Sequence, residues 1–383
     1  MRVRPPDVAH GGTAPMVTTH VSNGFEVPAP PAWMRWLPVA YIILVVVLGF
    51  LLPSQWATSF LLIALPTLAA YTLGPGPVAA ITVVAIVLEG VIAGTGHHQW
   101  EDHHVAAYIA TALVGILGAA LAAHRRRQER SLVHTNSVAE ALMRTLLRPV
   151  PHRIGHLLAA ALYRPGEVGT MVGGDLYDIR VTRTGERAVI GDVRGKGLTA
   201  VRTVADLLGS FREAAYDLGD LLSVAARMER RLVHEAEEIQ DDELFVTAAL
   251  VEYDADADRL TIVNHGHVEP VLFSGGEVRT LSGPPALPLG LSALGDQRPT
   301  AITHRFAPGD VLLLCTDGLV EARDATGSFY PLLDRLRQRF AGRPAPGPAD
   351  VVDFLNSDLP RHTRHFHDDV AVLAIAPHTG PPP

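Results

Sequence analysis

Four apolar runs dominate the first third of the chain: "LPVAYIILVVVLGFLL" (37–52), "WATSFLLIALPTLAAYTL" (56–73), "PVAAITVVAIVLEGVIA" (77–93) and "VAAYIATALVGILGAALAA" (105–123). Each is close to the length of a bilayer-spanning helix, which needs about 20 residues. The breaks between them, "PSQ", "GPG" and "GTGHHQWEDHH", are short. Buried helices of a water-soluble core would give similar runs, but four near-uncharged runs in succession are hard to place in one such core. The pattern predicts a four-helix transmembrane bundle over 37–123. Residues 1–36 are rich in Pro, Gly, Thr and Ala without periodicity, which predicts a disordered lead-in. They do not form a secretory signal, because the apolar run starts late and lacks a small-residue cleavage site.

Beyond the fourth run the pattern turns amphipathic. "RRRQERSLVHTNSVAEALMRTLLR" (125–148) places Leu132, Val138 or Ala139, Leu142 and Leu146 at helical spacing, with arginines on other faces. Pro149 and Pro151 end it. This 124–148 segment predicts a helical signalling linker, suited either to pairing in a homodimer or to acting as a spacer.

From 149 to 377 strand and helix patterns mix. Strands are predicted at 187–193, 244–254, 259–266, 269–276, 310–318 and 369–376, and amphipathic helices at 198–218, 220–238, around 330–340 and at 349–359. Helices in blocks and strands in hairpins predict an α+β fold with mostly antiparallel sheets. Residues 378–383 form a short polar and proline-rich tail, expected to be disordered.

Charge adds orientation. "HRRRQER" (124–130) leaves the fourth run, and Arg2, Arg4 and Arg35 precede the first. The positive-inside rule then puts both flanks, and everything after Arg125, in the cytoplasm, with the 97–104 loop outside. That loop, "HHQWEDHH", either binds a metal or senses pH, or is simply a polar connection. Glu89, inside the third run, must pair or reach headgroups. The formal net charge of −8 argues against nucleic-acid binding. A single cysteine, Cys315, excludes an intrachain disulfide and a Cys metal cluster.

The candidate chemistry is carried by acids at strand ends. Asp175 follows Gly173 and Gly174 in "MVGGDLYDIR"; Asp192 ends "AVIGDV"; Asp317 ends "VLLLCTDG"; Asp368 and Asp369 open "DDVAVLAIA". Each alone is an ordinary turn. If the strand mouths converge, the like charges need cations among them. An all-oxygen set suits Mg²⁺ or Mn²⁺, and two such ions can activate water and clamp a phosphoryl group. "IGDVRGKGL" fails the P-loop pattern at Ile190 and Gly197, and no G-x-G-x-x-G or G-x-S-x-G motif occurs. Cys315 sits in an apolar strand and is expected in the core. Lys196 (the only lysine), His265, His267, His365 and His367 each admit either a substrate-facing or a plain structural role.

Taken in order, "VGGDLYD", "GDVRGKG", "FVTAALVEYD", "NHGHVEPVL", "LPLGL", "GDVLLLCTDGLVEARD" and "DDVAVLAIA" resemble the SpoIIE-type serine phosphatases, the bacterial branch of the metal-dependent, protein phosphatase 2C-like superfamily. The resemblance spans about residues 140–377. It implies an α-β-β-α sandwich over 149–377 with a two-metal centre, Mn²⁺ or Mg²⁺. The family's metal-binding acids fall on Asp175, Asp192, Asp317 and Asp368, with the Val193 carbonyl as a further ligand. Asp178 and Asp369 are their neighbours; Asp369 is also carried as a metal candidate, with Asp368 preferred. The implied activity is hydrolysis of phosphoserine or phosphothreonine on a regulatory protein, typically an anti-sigma-factor antagonist, by metal-activated water without a phosphoenzyme. Two departures stand out: Arg194 where Ser is frequent, and His265 where Ala is frequent. The alternatives are a pseudo-phosphatase acting as a membrane scaffold, against which the intact acids speak, and a cyclase- or kinase-type output, against which the failed P-loop speaks.

Overall fold

The computed structural model describes residues 32–51, 58–95, 102–166, 172–284, 286–295, 297–344 and 346–378. The expected N-terminal lead-in up to residue 31, positions 97–101 of the histidine-rich loop and the last five residues lie outside these. The apolar runs form α1 (Leu37–Leu51), α2 (Leu65–Thr72, entered through a 3-10 turn at Thr58–Ala64), α3 (Pro75–Thr95) and α4 (Asp102–Leu146). By length and composition, one helix among the described residues is long and apolar enough to cross a membrane, Val105–Gln128; the apolar stretches Leu37–Leu48, Leu61–Thr72 and Pro75–Val91 are shorter. Arg125 donates to the carbonyls of Ala70 (3.2 Å), Tyr71 and Leu73 (3.4 Å), satisfying the exposed end of α2.

The fourth apolar run and the amphipathic linker are one continuous helix. α4 runs 45 residues, and its last turns bury Ala139, Met143 and Leu147 in the core of the domain that follows. The helix therefore ends as part of that core rather than beside it.

The remaining elements are β1 (Arg153–Ile154), β2 (Leu157–Arg164), β3 (Asp175–Val181), β4 (Glu186–Val193), α5 (Leu198–Asp217), α6 (Leu221–Ile239), β5 (Val246–Asp254), β6 (Arg259–His265), β7 (Val271–Ser274), β8 (Glu277–Thr280), β9 (Ile302–Arg305), β10 (Val311–Cys315), α7 (Asp317–Val320), α8 (Leu332–Phe340), α9 (Pro348–His362) and β11 (Val370–Pro377). They make two antiparallel sheets, β1-β2-β11-β10-β7-β8 and β3-β4-β5-β6-β9. Helices α5 and α6 pack on the five-stranded sheet; α8 and α9 pack on the six-stranded one. This is the α-β-β-α layering.

Parity along the strands shows how both faces are used. Leu312, Leu314, Ala371, Leu373 and Ile375 join the core between the sheets, while Val311, Leu313, Cys315, Val370, Val372 and Ala374 join the core under α8 and α9. Side chains alternate along a strand, so a sheet covered on both faces needs an unbroken apolar run. Cys315 is a core residue, as expected. The predicted strand at 269–276 is β7, and the turn at Gly275 and Gly276 leads from it into β8. Strands β1, β2, β3, β8 and β9 are absent from the sequence prediction.

Candidate functional site

One wall of the site is strand. Asp175 is the first residue of β3 and lies directly opposite Asp192 on β4. Directly opposed residues of an antiparallel pair face the same side about 5 Å apart, and like charges there are destabilising. The backbone is close-packed here as well. A Cβ on Gly174 would run into the Val193 carbonyl, and one on Gly173 would come within 3.1–3.2 Å of the Asp369 and Asp368 carboxyls. Glycine thus leaves a cradle that any other residue would fill.

The other wall comes from loop and helix starts on the six-stranded sheet. Asp317 opens α7 immediately after β10 and is exposed. Asp368 precedes β11; its side chain is 48% exposed and accepts from Lys196 Nζ at 2.9 Å. Asp369 is buried. It accepts from Tyr163 Oη (2.5 Å), Gly166 N (2.9 Å) and Gly173 N (3.0 Å). Those donors engage both carboxylate oxygens, so Asp369 ties the wall together, while Asp368 faces the opening. A cleft of about 240 Å³ lies alongside, lined by Asp317, Glu321, Arg323, Phe366, His367 and Asp368.

A threonine bolts the walls to each other. Thr316 Oγ1 donates to Asp175 Oδ2 (2.8 Å) and accepts from Ala371 N (2.9 Å). Neither Thr316 nor Tyr163 is singled out by the sequence reasoning. For Thr316 the available signal was its position beside Asp317 at the end of a buried strand.

The electrostatics follow from this crowding. Burial, then the Asp192 charge, raise the Asp175 carboxyl well above the usual carboxylate range, against the opposing hydrogen bond from Thr316. Asp192 is raised to about 7 by burial and then by Asp317, Asp368 and Asp369, with Lys196 pulling it down. Asp317 is raised by partial loss of water and by Asp368, and Asp369 by burial. The set is all oxygen, mutually repelling and cradled by glycine, which fits divalent cations of the Mg²⁺ or Mn²⁺ type. Among the described residues, however, no group of three or more His, Cys, Asp or Glu is gathered tightly enough to hold an ion as it stands.

Other candidates fall elsewhere. Asp178 lies three residues beyond Asp175 and so faces the opposite side of β3. There it pairs with Arg180 (2.9 Å) and Arg212 (2.5 Å), and Arg212 also donates to the Leu146 carbonyl at the end of α4 (3.2 Å). His265 and His267 are buried, with Nδ1 against Leu287 O and Thr247 Oγ1, both at 3.0 Å. Burial lowers both, His267 to about 4. Asn264 bonds the His267 backbone on both sides, so "NHGH" is a structural turn; His267 lines a separate, mainly apolar cavity of about 230 Å³. His367 lines the acidic cleft and offers its carbonyl to Lys196 (3.3 Å). The Cys315 thiol is pushed up to about 12 by burial.

Comparison with known proteins places this architecture. A family model described as stage II sporulation protein E (SpoIIE) matches residues 183–378, just over half of the 383-residue chain. Among solved structures, the SiaA-PP2C domain of Pseudomonas aeruginosa is 18% identical with a TM-score of 0.50, over 66% of this chain and 97% of that one. The PP2C phosphatase domain of SpoIIE from Bacillus subtilis, with a fragment of its regulatory domain, is 16% identical at a TM-score of 0.49. That match covers 58% of this chain and 64% of that one. The RsbU and RsbW domains of Rv1364c from Mycobacterium tuberculosis are 22% identical at a TM-score of 0.46, covering 60% and 62%.

Proposed function

Since the chain belongs to the SpoIIE family of PP2C-like serine phosphatases, we propose that it is a membrane-anchored, metal-dependent protein serine/threonine phosphatase. The observation that carries this is the crowding of Asp175 and Asp192 on one wall against Asp317 and Asp368 on the other, with the raised carboxyls that result. These four acids, with the Val193 carbonyl, are the groups that would hold two divalent cations. Bound there, such cations supply charge neutralisation for the phosphoryl oxygens and activation of water.

The protein's own groups have distinct tasks. Thr316 fixes one oxygen of Asp175 and, among the described residues, leaves the other without a side-chain hydrogen bond to it. Tyr163 and two backbone amides fix Asp369, and through it the entry to β11. The cleft beside Asp317 and Asp368 is open enough to admit a side chain carried on a protein surface, and Arg323 on its rim offers positive charge to a phosphate. Cys315, buried and held as the thiol, supplies no nucleophile, which supports direct hydrolysis without a phosphoenzyme.

The substrate proposed is phosphoserine or phosphothreonine on a small regulatory protein, an anti-sigma-factor antagonist by family resemblance. The four apolar segments are proposed to anchor the enzyme as a multi-pass bundle with the 149–377 domain in the cytoplasm. Support comes from Val83, Val87, Leu113, Ile116 and Leu117, each more than half exposed on the helices and suited to lipid. Helix α4 is proposed to carry the signal, and a second copy is its proposed partner.

The alternative is a membrane scaffold that binds phosphoproteins without hydrolysing them. The full chain in nanodiscs, given Mn²⁺ and a phosphoserine protein, separates the two. Turnover that EDTA and Asp192→Ala both abolish supports the phosphatase. Tight binding of the phosphoprotein without phosphate release would establish the scaffold instead.

A further inference from the structure

The chain holds one lysine among 32 basic residues, and it stands at the acidic cleft. Lys196 occupies the turn from β4 into α5, between Gly195 (φ +109°) and Gly197 (φ +82°). Side-chain-bearing residues rarely adopt such angles, so this turn is built to bring one particular side chain to one place. Gly197 N donates to Val172 O at 2.7 Å, tying the turn to the segment that leads into Gly173 and Asp175. The ammonium then reaches across to the other wall. It donates to Asp368 Oδ1 at 2.9 Å and to the His367 carbonyl at 3.3 Å. One of the four acids is therefore already neutralised by a cation belonging to the protein.

We propose that Lys196 is an internal counter-ion for Asp368 that a divalent cation must displace, so that this lysine sets the metal affinity of the Asp368 side of the centre. The inference rests on the metal-dependent reading above. A carboxylate oxygen in contact with an ammonium cannot accept a divalent ion at contact distance without bringing two cations together. Loading therefore exchanges the Lys196–Asp368 pair for a metal–carboxylate bond. The two side chains are 36% and 48% exposed, and exposed ion pairs are weak. The exchange is accordingly a soft gate: it raises the metal concentration needed without forbidding entry. The lysine holds Asp368 towards β4, and an incoming ion would take over that task.

Calorimetric Mn²⁺ titration of the full chain in nanodiscs tests this, using wild type, Lys196→Gln, Lys196→Arg, Asp368→Asn and the Lys196→Gln/Asp368→Asn double variant. Lys196→Gln is expected to bind Mn²⁺ about two- to fivefold more tightly, the range that one exposed ion pair commands. Lys196→Arg, which keeps the charge, should stay near wild type. In the Asp368→Asn background, Lys196→Gln should change nothing. Unchanged or weaker binding in Lys196→Gln overturns the gate and leaves the metal reading intact. Tightening that persists without Asp368 overturns the assignment to that residue. A wild-type chain that binds no Mn²⁺ overturns the metal reading and the gate together.

Discussion

Asp175 and Asp192 stand on paired strands in fixed register, whereas Asp317 and Asp368 line the cleft from the first residue of a short helix and from the loop before β11. The strand wall is set by its register: two ladders and glycines at closest approach place both acids, and the Thr316 hydrogen bond holds the buried Asp175. The loop wall is exposed at both acids, and Lys196 holds one of them. The difference assigns separate tasks. The buried wall carries the more strongly raised carboxyls, and the exposed wall is the side open to an incoming cation.

The largest expected effect tests whether both walls serve one centre. Asp175→Ala, Asp192→Ala and Asp317→Ala should each lower kcat/KM by more than about 100-fold in a phosphate-release assay, since even residues that only support metal ligands typically cost 10- to 100-fold. A full loss on the strand wall with near-wild-type activity in Asp317→Ala would reduce the site to one wall.

Thr316→Val comes next, because it removes the bolt between the walls. A fall of about 10- to 100-fold in Mn²⁺ affinity or activity is expected. The unpaired Ala371 amide should add a stability loss of about 1–3 kcal/mol, measurable by denaturant melting of the full chain. Unchanged Mn²⁺ affinity in a destabilised protein would make Thr316 a packing residue only.

The pH dependence of the metal-free protein sharpens the contrast further. Below about pH 4, Asp175 and Asp192 are protonated in both folded and unfolded chains, so their burial carries no charge penalty. As pH rises towards about 7, where Asp192 ionises in the fold, the unfolded chain has already released its protons. Stability is lost through that window. In EDTA the melting temperature of the full chain should fall between about pH 4 and about pH 7, and saturating Mn²⁺ should flatten the slope. A slope that Mn²⁺ leaves unchanged would place its origin outside the cleft.

Asp178→Asn should have the smallest effect on catalysis, within about threefold in kcat, together with a drop in melting temperature from the lost Arg180 and Arg212 pairs. A catalytic collapse would bring Asp178 back into the site.

The same contrast explains what could be seen in the sequence. Core strands β4, β5, β6, β10 and β11 and helices α5, α6, α8 and α9 announce themselves through long apolar or amphipathic runs, and Asp192, Asp317 and Asp368 stand at or beside the ends of β4, β10 and β11. Strand β2, "LLAAALYR", shows no alternation because both of its faces pack on apolar cores and it is rich in alanine. Strand β3 is hidden by the glycines and aspartates of "GGDLYD", which signal a turn. Had β3 been recognised, parity alone would have put Asp178 on the face opposite Asp175. The contacts of Tyr163 with Asp369 and of Lys196 with Asp368 join residues 206 and 172 positions apart, and no local pattern encodes them. In the apolar third, composition predicts four spans but gives no helix geometry; α2 is only eight residues long, and α4 runs unbroken from its apolar part into the phosphatase core.

The central claim is that acids from both walls hold divalent cations in one centre. Anomalous diffraction from crystals of the full chain soaked in Mn²⁺ tests it most directly. The account predicts manganese peaks between the walls, contacted by Asp175 or Asp192 on one side and by Asp317 or Asp368 on the other, with Lys196 withdrawn from Asp368. A cleft without manganese at saturating Mn²⁺, or peaks confined to one wall with the Lys196–Asp368 pair intact, would contradict it.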